Sequence, residues 1–423
     1  MDEEAPIAAG TQSMTRFWVI FGGQAFSLFG SRLVQFAIVW WITSSTGSAS
    51  ALAFASIMAV LPQVFLGPFA GVLVDRWDKR TVMIVSDLFV AALVLVLAFL
   101  YAVGAVQIWN IYVIMFLRSL GGAFQWPAMQ TTTSLMVPKE HLSRVAGFNQ
   151  ALMGMANILA PPMGALLLEF LPMESVLYID VATAVLAVAP LLVTRIPQVR
   201  VDGAQAFGVR SVLGNLRDGM LFIWNWKGLR LIMGMSMTIN FLMSPAFSLL
   251  PLLVTKHFGG GALELAWIQS AGGVGMILGG LALGVWGGSK KRIVTAMIAV
   301  ILAGVFVMIL GLTPPEFFLM AVASMFLFSF ANAIANSIFM AALQAIVPPE
   351  IQGRVFTLVG SLSAGMVPLG LAIAGPVADS FGERIWFNLG GLIFMMVGLA
   401  SFMSPSVMNI EEEGVNRHTP KEQ

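Results

Sequence analysis

Three charged residues, Arg32, Arg118 and Asp180, lie inside long apolar stretches of a chain in which only 10% of residues are charged. A charge in an apolar environment is costly, so each should be paired or face a polar interior. A buried carboxyl group resists ionisation, and a neighbouring arginine favours it. Movement of Arg118 or Arg32 relative to Asp180 would bind and release a proton, so we predict proton coupling at these three residues. The alternatives are a permanent Asp–Arg ion pair and, for Arg32, contact with an anionic ligand group.

Neutral amide side chains in similar stretches are candidates for ligand contacts. The second half of the chain carries no charge inside its apolar stretches, so any coupling charge must lie in the first half. Amides can supply polar contacts to a ligand, although a hydrogen bond between helices is the alternative role for each of them. The amides predicted to contact a substrate are Gln24, Gln35, Gln125, Asn240, Asn332 and Asn336.

The segment GVLVDRWDKR, residues 71–80, places five charges of both signs within residues 75–80. Its basic residues fit a solvated loop that sets membrane topology. A carboxylate at a helix end can also pair with arginines or with the N-terminus of a neighbouring helix, which favours a latch at Asp75. Gly67 and Gly71 form a GxxxG step that permits close helix contact. The predicted gate residues are Gly71, Asp75, Arg76, Arg80 and, two turns into the next apolar stretch, Asp87.

The composition of the chain requires a membrane. Of its 423 residues 58% are hydrophobic, whereas soluble proteins carry about 25% charged residues. The sequence has no cysteine, which excludes disulfides and thiolate sites, and its three histidines lie far apart. It also lacks the glycine-rich lysine motif of ATP-binding loops. We therefore expect an integral membrane protein that is not an enzyme and needs no metal or other cofactor.

Runs of about 20 mostly apolar residues predict membrane-spanning helices. Helices are favoured over strands because lipid-exposed backbone must be hydrogen-bonded within a helix or a closed barrel. The twelve predicted spans are residues 17–44, 50–74, 81–103, 108–134, 145–168, 175–194, 229–255, 264–287, 293–312, 317–346, 355–378 and 385–405.

The distribution of lysine and arginine predicts the orientation of these spans. With the N-terminus placed inside, only Lys256 and Arg384 fall in outer loops, and Arg32 and Arg118 lie within spans. All other Lys and Arg residues lie on the inner side. Because cytoplasmic loops carry the excess of Lys and Arg, both termini are expected in the cytoplasm.

The two halves of the chain resemble each other. VPKEHLSR (137–144) aligns with VPPEIQGR (347–354) at an offset of 210 positions. Such repeats typically form a two-bundle transporter with its site between the halves. The predicted domains are a first bundle (1–194), a cytoplasmic linker (195–228), a second bundle (229–405) and a cytoplasmic tail (406–423). In the linker, Leu213, Leu216, Met220 and Ile223 share one helical face, which suggests a helix on the membrane surface; a loose linker is the alternative.

Several motifs resemble the major facilitator superfamily. GPFAGVLVDRWDKR is similar to the signature loop between its second and third spans, FLRSLGGAF to its fourth-span motif, and residues 146–167 to a relaxed antiporter motif. In that last motif Ala156, Ala160 and Ala165 replace glycines. Sequence segments along nearly the whole chain resemble the macrolide-efflux and drug-exporter branch of this superfamily. The resemblance implies the major facilitator fold, with twelve transmembrane helices in two six-helix bundles, and a role for Arg118 in proton transfer.

We therefore expect a proton-driven secondary exporter of bulky amphipathic compounds, such as macrolide-like drugs, that works by alternating access and confers drug resistance. The alternatives are a siderophore or lipid exporter of the same fold and a non-transporting membrane receptor. The expected partners are a small-molecule substrate, protons and the lipid bilayer, without nucleic acid. The protein is expected to act as a monomer in the bacterial inner membrane.

Overall fold

The computed structural model describes residues 12–194, 196–197, 217, 219–289 and 291–410. Nearly all of these residues are helical, and none of them forms a strand. Backbone N–H and C=O groups in lipid must be hydrogen-bonded within the protein. A helix satisfies them within a single segment, so each apolar run can form a helix on its own. The all-α fold class predicted from the sequence is confirmed.

The first half of the chain forms six long helices that match the first six predicted spans. They are α1 (Gln12–Thr46), α2 (Ala49–Arg76), α3 (Lys79–Ala102), α4 (Ile108–Met136), α5 (Leu142–Phe170) and α6 (Met173–Val193).

The described residues of the second half form six more long helices. They are α7 (Lys227–Ser248), α8 (Ala262–Trp286), α9 (Arg292–Leu312), α10 (Phe318–Ile346), α11 (Pro349–Phe381) and α12 (Arg384–Phe402). Short helical segments cover Lys139–His141, Leu250–Leu252, Leu253–His257, Pro315–Phe317 and Pro405–Met408.

Among the described residues, eleven helices are long and apolar enough to cross a membrane. The sequence predicts twelve spans, and α4 is the long helix outside this set. Its 29 residues include Arg118, Ser119 and Gln125, which lower its hydropathy. These same three side chains line a cavity that is described below, so part of the polar character of α4 lies beside that cavity.

The described residues form two compact units. The first comprises residues within 1–38 and 58–203, and the second comprises residues within 39–57 and 204–423. In the first unit, α3 packs against α4 and α6; in the second, α9 packs against α10 and α12. The domain limits that the sequence suggests stay a prediction.

Residues 219–224, at the end of the predicted linker, are helical. Ile223 is buried in the core of the second unit, and Met220 packs against that core. Leu213 and Leu216, which the sequence places on the same helical face, lie outside the described residues. Val407 and Ile410, at the start of the predicted tail, belong to the same core.

The beginning of α2 is held by a side chain from α11 within the second unit. The Ala49 and Ser50 backbone N–H groups donate to the two carboxylate oxygens of Asp379 at 2.8 and 3.0 Å. The Ser50 hydroxyl donates to the same carboxylate at 2.6 Å. Gly375 permits this contact, because a Cβ there would lie 2.5 Å from the Ser50 Cα. The first N–H groups of a helix have no partner within that helix. Asp379 accepts from them and therefore serves as an N-terminal cap that another helix supplies.

Candidate functional site

A buried ion pair joins α4 to α6 in the first unit. Arg118 Nη2 lies 3.1 Å from Asp180 Oδ2, and the two side chains are 10% and 2% exposed. Ser31 of α1 donates its hydroxyl to the other carboxylate oxygen of Asp180 at 2.9 Å. Three helices therefore converge on one carboxylate, which supports its negative charge with a cation and a hydroxyl. Arg118 Nη1 is buried and has no hydrogen-bond partner among the described residues.

A second buried carboxylate, Asp87 of α3, has a different environment. Asp87 is 3% exposed. Gln24 of α1 donates from Nε2 to Asp87 Oδ2 at 2.8 Å, and Gln125 of α4 donates from Nε2 to Asp87 Oδ1. Gln125 Nε2 also donates to Gln24 Oε1 at 3.0 Å. In the described part of the chain no Lys or Arg forms an ion pair with Asp87, so only neutral amides contact its carboxylate.

Between the helices of the first unit lies a cavity of about 840 Å³. Both arginines of the predicted proton-coupling set line it, as do all three first-half amides predicted to contact substrate. Apolar side chains, including Phe21, Trp126 and Met153, complete its wall. The polar side chains that line it are Gln24, Ser27, Ser31, Arg32, Gln35, Gln63, Arg118, Ser119, Gln125 and Asn149.

Arg32 is the exposed arginine of this cavity wall. Its guanidinium forms no hydrogen bond or ion pair with any described residue, so Arg118 rather than Arg32 is the partner of Asp180. Ser119 is 8% exposed and its hydroxyl likewise has no partner in the described ranges. The cavity therefore presents unsatisfied donors beside a mostly apolar wall, an arrangement that suits an amphipathic molecule with acceptor groups.

Two charged residues at the α2–α3 turn, Asp78 and the predicted gate residue Arg80, have separate structural roles. Asp78 caps α3 by accepting a hydrogen bond from the Arg80 backbone N–H at 2.9 Å. The Arg80 side chain donates to the carbonyl oxygens of Leu191 and Leu192 at the end of α6. Lysine and arginine at a helix C-terminus satisfy carbonyl groups that lack a partner in the helix.

Asp75 and Arg76 are exposed at the end of α2. The Asp75 carboxylate makes no hydrogen bond or ion pair within the described ranges, although its backbone carbonyl accepts from Lys79 Nζ at 2.6 Å. A Cβ added at Gly67 or Gly71 would meet no described atom within 4 Å, so the GxxxG step makes no close helix contact in this structure. Such a contact occurs instead between α9 and α12, where a Cβ on Gly304 would lie 2.7 Å from the Gly391 carbonyl oxygen.

The three second-half amides lie in the second unit and hydrogen-bond within their own helices. Asn240 Nδ2 donates to the Ser236 carbonyl at 3.0 Å. Asn336 Nδ2 donates to the Asn332 backbone and side-chain oxygens at 3.1 and 3.2 Å. Asn240 and Asn332 are half-buried and Asn336 is exposed. Their predicted role in substrate contact stays a prediction.

Comparison with known proteins was made across the full chain. The model of the Major Facilitator Superfamily matches residues 20–371. The chain belongs to the Major Facilitator Superfamily. The nucleoside transporter NupG, at 16% identity, shares this fold with a TM-score of 0.65 over 93% of this chain and 98% of NupG.

Two relatives in this superfamily are drug exporters by name. Macrolide efflux protein A of Streptococcus pyogenes is 32% identical over 396 residues, which cover 94% of this chain and 97% of that protein. The multidrug efflux pump Tap of Mycolicibacterium fortuitum is 26% identical over 393 residues, which cover 90% of this chain and 94% of Tap. The resemblance to this superfamily and to its drug-exporter branch is confirmed.

Membership in this superfamily makes the protein a multi-pass membrane protein of a transport family. Within the described residues, no group of three His, Asp or Glu side chains is arranged to hold a metal ion. The described polar side chains of the first unit are joined by one ion pair and by hydrogen bonds.

Sequence reasoning missed several contacts of this site. Ser31, Gln63 and Ser119 carry no pattern that separates them from other polar residues in apolar runs. Asp87 has such a signal, since it lies eight residues beyond the basic end of α3 in an otherwise apolar stretch. The sequence predicts a gate role for Asp87, whereas in the structure two glutamines that line the cavity donate to its carboxylate.

Proposed function

We propose that this protein exports bulky amphipathic drugs, macrolides first among them, from the cytoplasm by proton-driven alternating access. The observation that carries the proposal is similarity along almost the whole chain to macrolide efflux protein A and the multidrug efflux pump Tap. Similarity of this extent includes both halves of a transporter, rather than one shared motif. We further propose that it works as a monomer in the bacterial inner membrane with both termini in the cytoplasm.

The cavity of the first unit supports the choice of substrate class. Pockets for drug-sized ligands have volumes of about 300–1,000 Å³ and are mostly apolar with a few polar groups. The cavity of about 840 Å³ falls within this range and combines Phe21 and Trp126 with amide side chains. We assign substrate hydrogen bonds to Gln24, Gln35 and Gln125 here. In the second unit we assign them to Asn240, Asn332 and Asn336.

The charges beside the cavity support proton coupling. Arg118 and Asp180 form a buried ion pair, and Arg32 lies in the cavity wall without a carboxylate partner among the described residues. Movement of Asp180 from Arg118 towards Arg32 would redistribute charge along the cavity wall as the protein changes conformation. We propose that the cytoplasmic gate includes Gly71, Asp75, Arg76 and Arg80, with the exposed Asp75 carboxylate as its switchable contact.

Flux measurements in proteoliposomes test this function. Purified protein is reconstituted, and movement of radiolabelled erythromycin is followed with and without an imposed pH gradient. The proposal predicts flux that rises with the proton gradient and disappears when an ionophore collapses it. Flux that ignores the gradient would indicate a uniporter, and erythromycin binding without flux would indicate a receptor; either result contradicts the proposal. A variant at the exposed Arg217, Arg217→Ala, should show the same gradient-dependent flux as the wild-type protein.

A further inference from the structure

The first unit contains two buried carboxylates in contrasting environments. Asp180 has an arginine and a hydroxyl as partners, whereas among the described residues Asp87 has only the amides of Gln24 and Gln125. Where two carboxyl groups lie in different environments, they tend to serve different roles. A cation stabilises the ionised form of Asp180 directly. Asp87 lacks that support, and a buried charge without a cation is unfavourable.

The three hydrogen bonds around Asp87 form a closed triangle, which we call the Asp87 triangle: Gln24 to Asp87, Gln125 to Asp87, and Gln125 to Gln24. An ionised carboxylate only accepts hydrogen bonds, so both glutamines must present Nε2 to it. The remaining oxygen of Gln24 then accepts from Gln125. All three contacts are satisfied together when Asp87 is ionised.

Protonation changes this pattern. A carboxyl proton directed at Gln24 requires that amide to present its oxygen, and its Nε2 then faces Gln125 Nε2, so two donors oppose each other. A proton directed at Gln125 requires the oxygen of that amide, which then faces the oxygen of Gln24. Rotation of the second amide only transfers the conflict to the other carboxylate oxygen. A proton directed at either glutamine therefore breaks at least one side of the Asp87 triangle.

The Asp87 triangle also connects the carboxylate to the cavity. Gln24 and Gln125 both line the cavity wall, while Asp87 lies behind them and is 3% exposed. Because Gln125 of α4 donates to Gln24 of α1, a change in the hydrogen bonding of these two amides changes the contact between α1 and α4. The same two amides are the side chains that we assign to substrate contact, so proton binding and substrate binding share them.

From this geometry we infer that Asp87, rather than Asp180, is the residue that takes up and releases the coupled proton, and that Gln24 and Gln125 transmit its protonation state to the cavity wall. The step adds one proton to one carboxylate oxygen and changes no other covalent bond. The inference rests on the proposed proton-driven export and identifies the residue that performs the coupling.

Other charged groups on the helices around Asp87 act on the same equilibrium. Asp180, the other buried carboxylate, lies on α6, which packs against α3. Arg118 on α4 is engaged with Asp180, and Arg32 on α1 faces the cavity. The remaining charged residues of these helices lie near helix ends, at Arg16, Lys79, Arg80 and Glu174.

Infrared difference spectroscopy tests the inference without any transport substrate. Full-length protein in lipid nanodiscs is titrated between about pH 5 and pH 9, a range that includes the titration of buried carboxyl groups. A protonated carboxyl group has a carbonyl stretch that an ionised carboxylate lacks. We expect this band at low pH, its loss as the pH rises, and its absence from Asp87→Asn throughout. The control Asp379→Asn, which alters an exposed carboxylate of the second unit, should keep the band.

Two further variants distinguish the Asp87 triangle from a merely structural carboxylate. Asp87→Glu should restore a titrating band at a shifted position, which also covers the case in which Asp87→Asn does not fold. Gln24→Leu removes one donor to the ionised form, so its band should persist to higher pH. An unchanged titration in Gln24→Leu would overturn the role of the glutamines. A band that survives in Asp87→Asn, or no band in the wild-type protein at any pH, would overturn the assignment to Asp87.

These results are separable from the proposed drug export. If erythromycin flux fails while the band titrates and depends on Asp87, the drug-export proposal is wrong and the proton site stands. If proton-driven flux is intact and the band does not depend on Asp87, the function stands and this inference is wrong.

Discussion

At the scale of single residues, the polar chemistry of the first unit depends on which donors reach which carboxylate. Asp180 and Asp87 are both buried acids on neighbouring helices, yet one contacts an arginine and the other contacts two amides. A buried ion pair is weak evidence for net stability, because desolvation of both charges opposes their attraction. Loss of one partner is different, since it leaves the other charge buried and unpaired.

Arg118→Ala should therefore lower the free energy of unfolding by about 3–5 kcal/mol, measured as a lower melting temperature in detergent. Arg217→Ala, at an exposed position, should change stability by less than about 0.5 kcal/mol. The double variant Arg118→Met/Asp180→Leu should recover most of the stability, because neither charge remains. It should not recover proton-driven export. Equal melting temperatures for Arg118→Ala and Arg217→Ala would contradict a buried pair.

At the scale of helices, several charged residues hydrogen-bond to backbone groups at helix ends that lack a partner within the helix. Asp78 caps α3 and Arg80 satisfies carbonyl groups at the end of α6. These contacts account for part of the charge cluster in residues 75–80 and explain why it carries both signs. Asp379, which is distant in the sequence, likewise accepts hydrogen bonds from the first backbone N–H groups of α2.

Asp379→Ala should free the first backbone N–H groups of α2 and destabilise its first turn, by about 0.5–2 kcal/mol as for other N-terminal caps. Hydrogen exchange measured by mass spectrometry should then speed up at Ala49 and Ser50. Asp379→Asn keeps an oxygen acceptor and should have the smaller effect. Asp75→Ala, at the opposite end of α2, should leave exchange at the first turn unchanged. If Asp379→Ala exchanges there at the wild-type rate, the cap does not hold this helix.

At the scale of the whole molecule, membership in the Major Facilitator Superfamily accounts for the twelve long helices among the described residues and for a chain that is mostly apolar. The lysine and arginine distribution predicts which loops face the cytoplasm. Because the chain contains no cysteine, a single introduced thiol reports on one loop without background.

Ala105 lies in the exposed loop between α3 and α4, and Glu140 lies in the exposed turn between α4 and α5. The variants Ala105→Cys and Glu140→Cys each place one thiol in one of these connections. In intact cells a membrane-impermeant maleimide should label Ala105→Cys and spare Glu140→Cys. Permeabilised cells should show labelling of both, which controls for thiol reactivity. Labelling of Glu140→Cys alone in intact cells would reverse the predicted orientation.

The sequence by itself determined the helices, the superfamily and the candidate charged residues, because a membrane-spanning helix satisfies its own backbone and reveals itself through about 20 consecutive residues. It could not determine which side chains meet. Arg118 and Asp180 are 62 positions apart, Gln24 and Asp87 are 63 apart, and Ala49 and Asp379 are 330 apart. Helix packing alone brings such pairs within hydrogen-bonding distance. Tertiary structure therefore decided that Asp180 is paired with a cation, that Asp87 accepts hydrogen bonds from two amides, and that α2 is capped by α11.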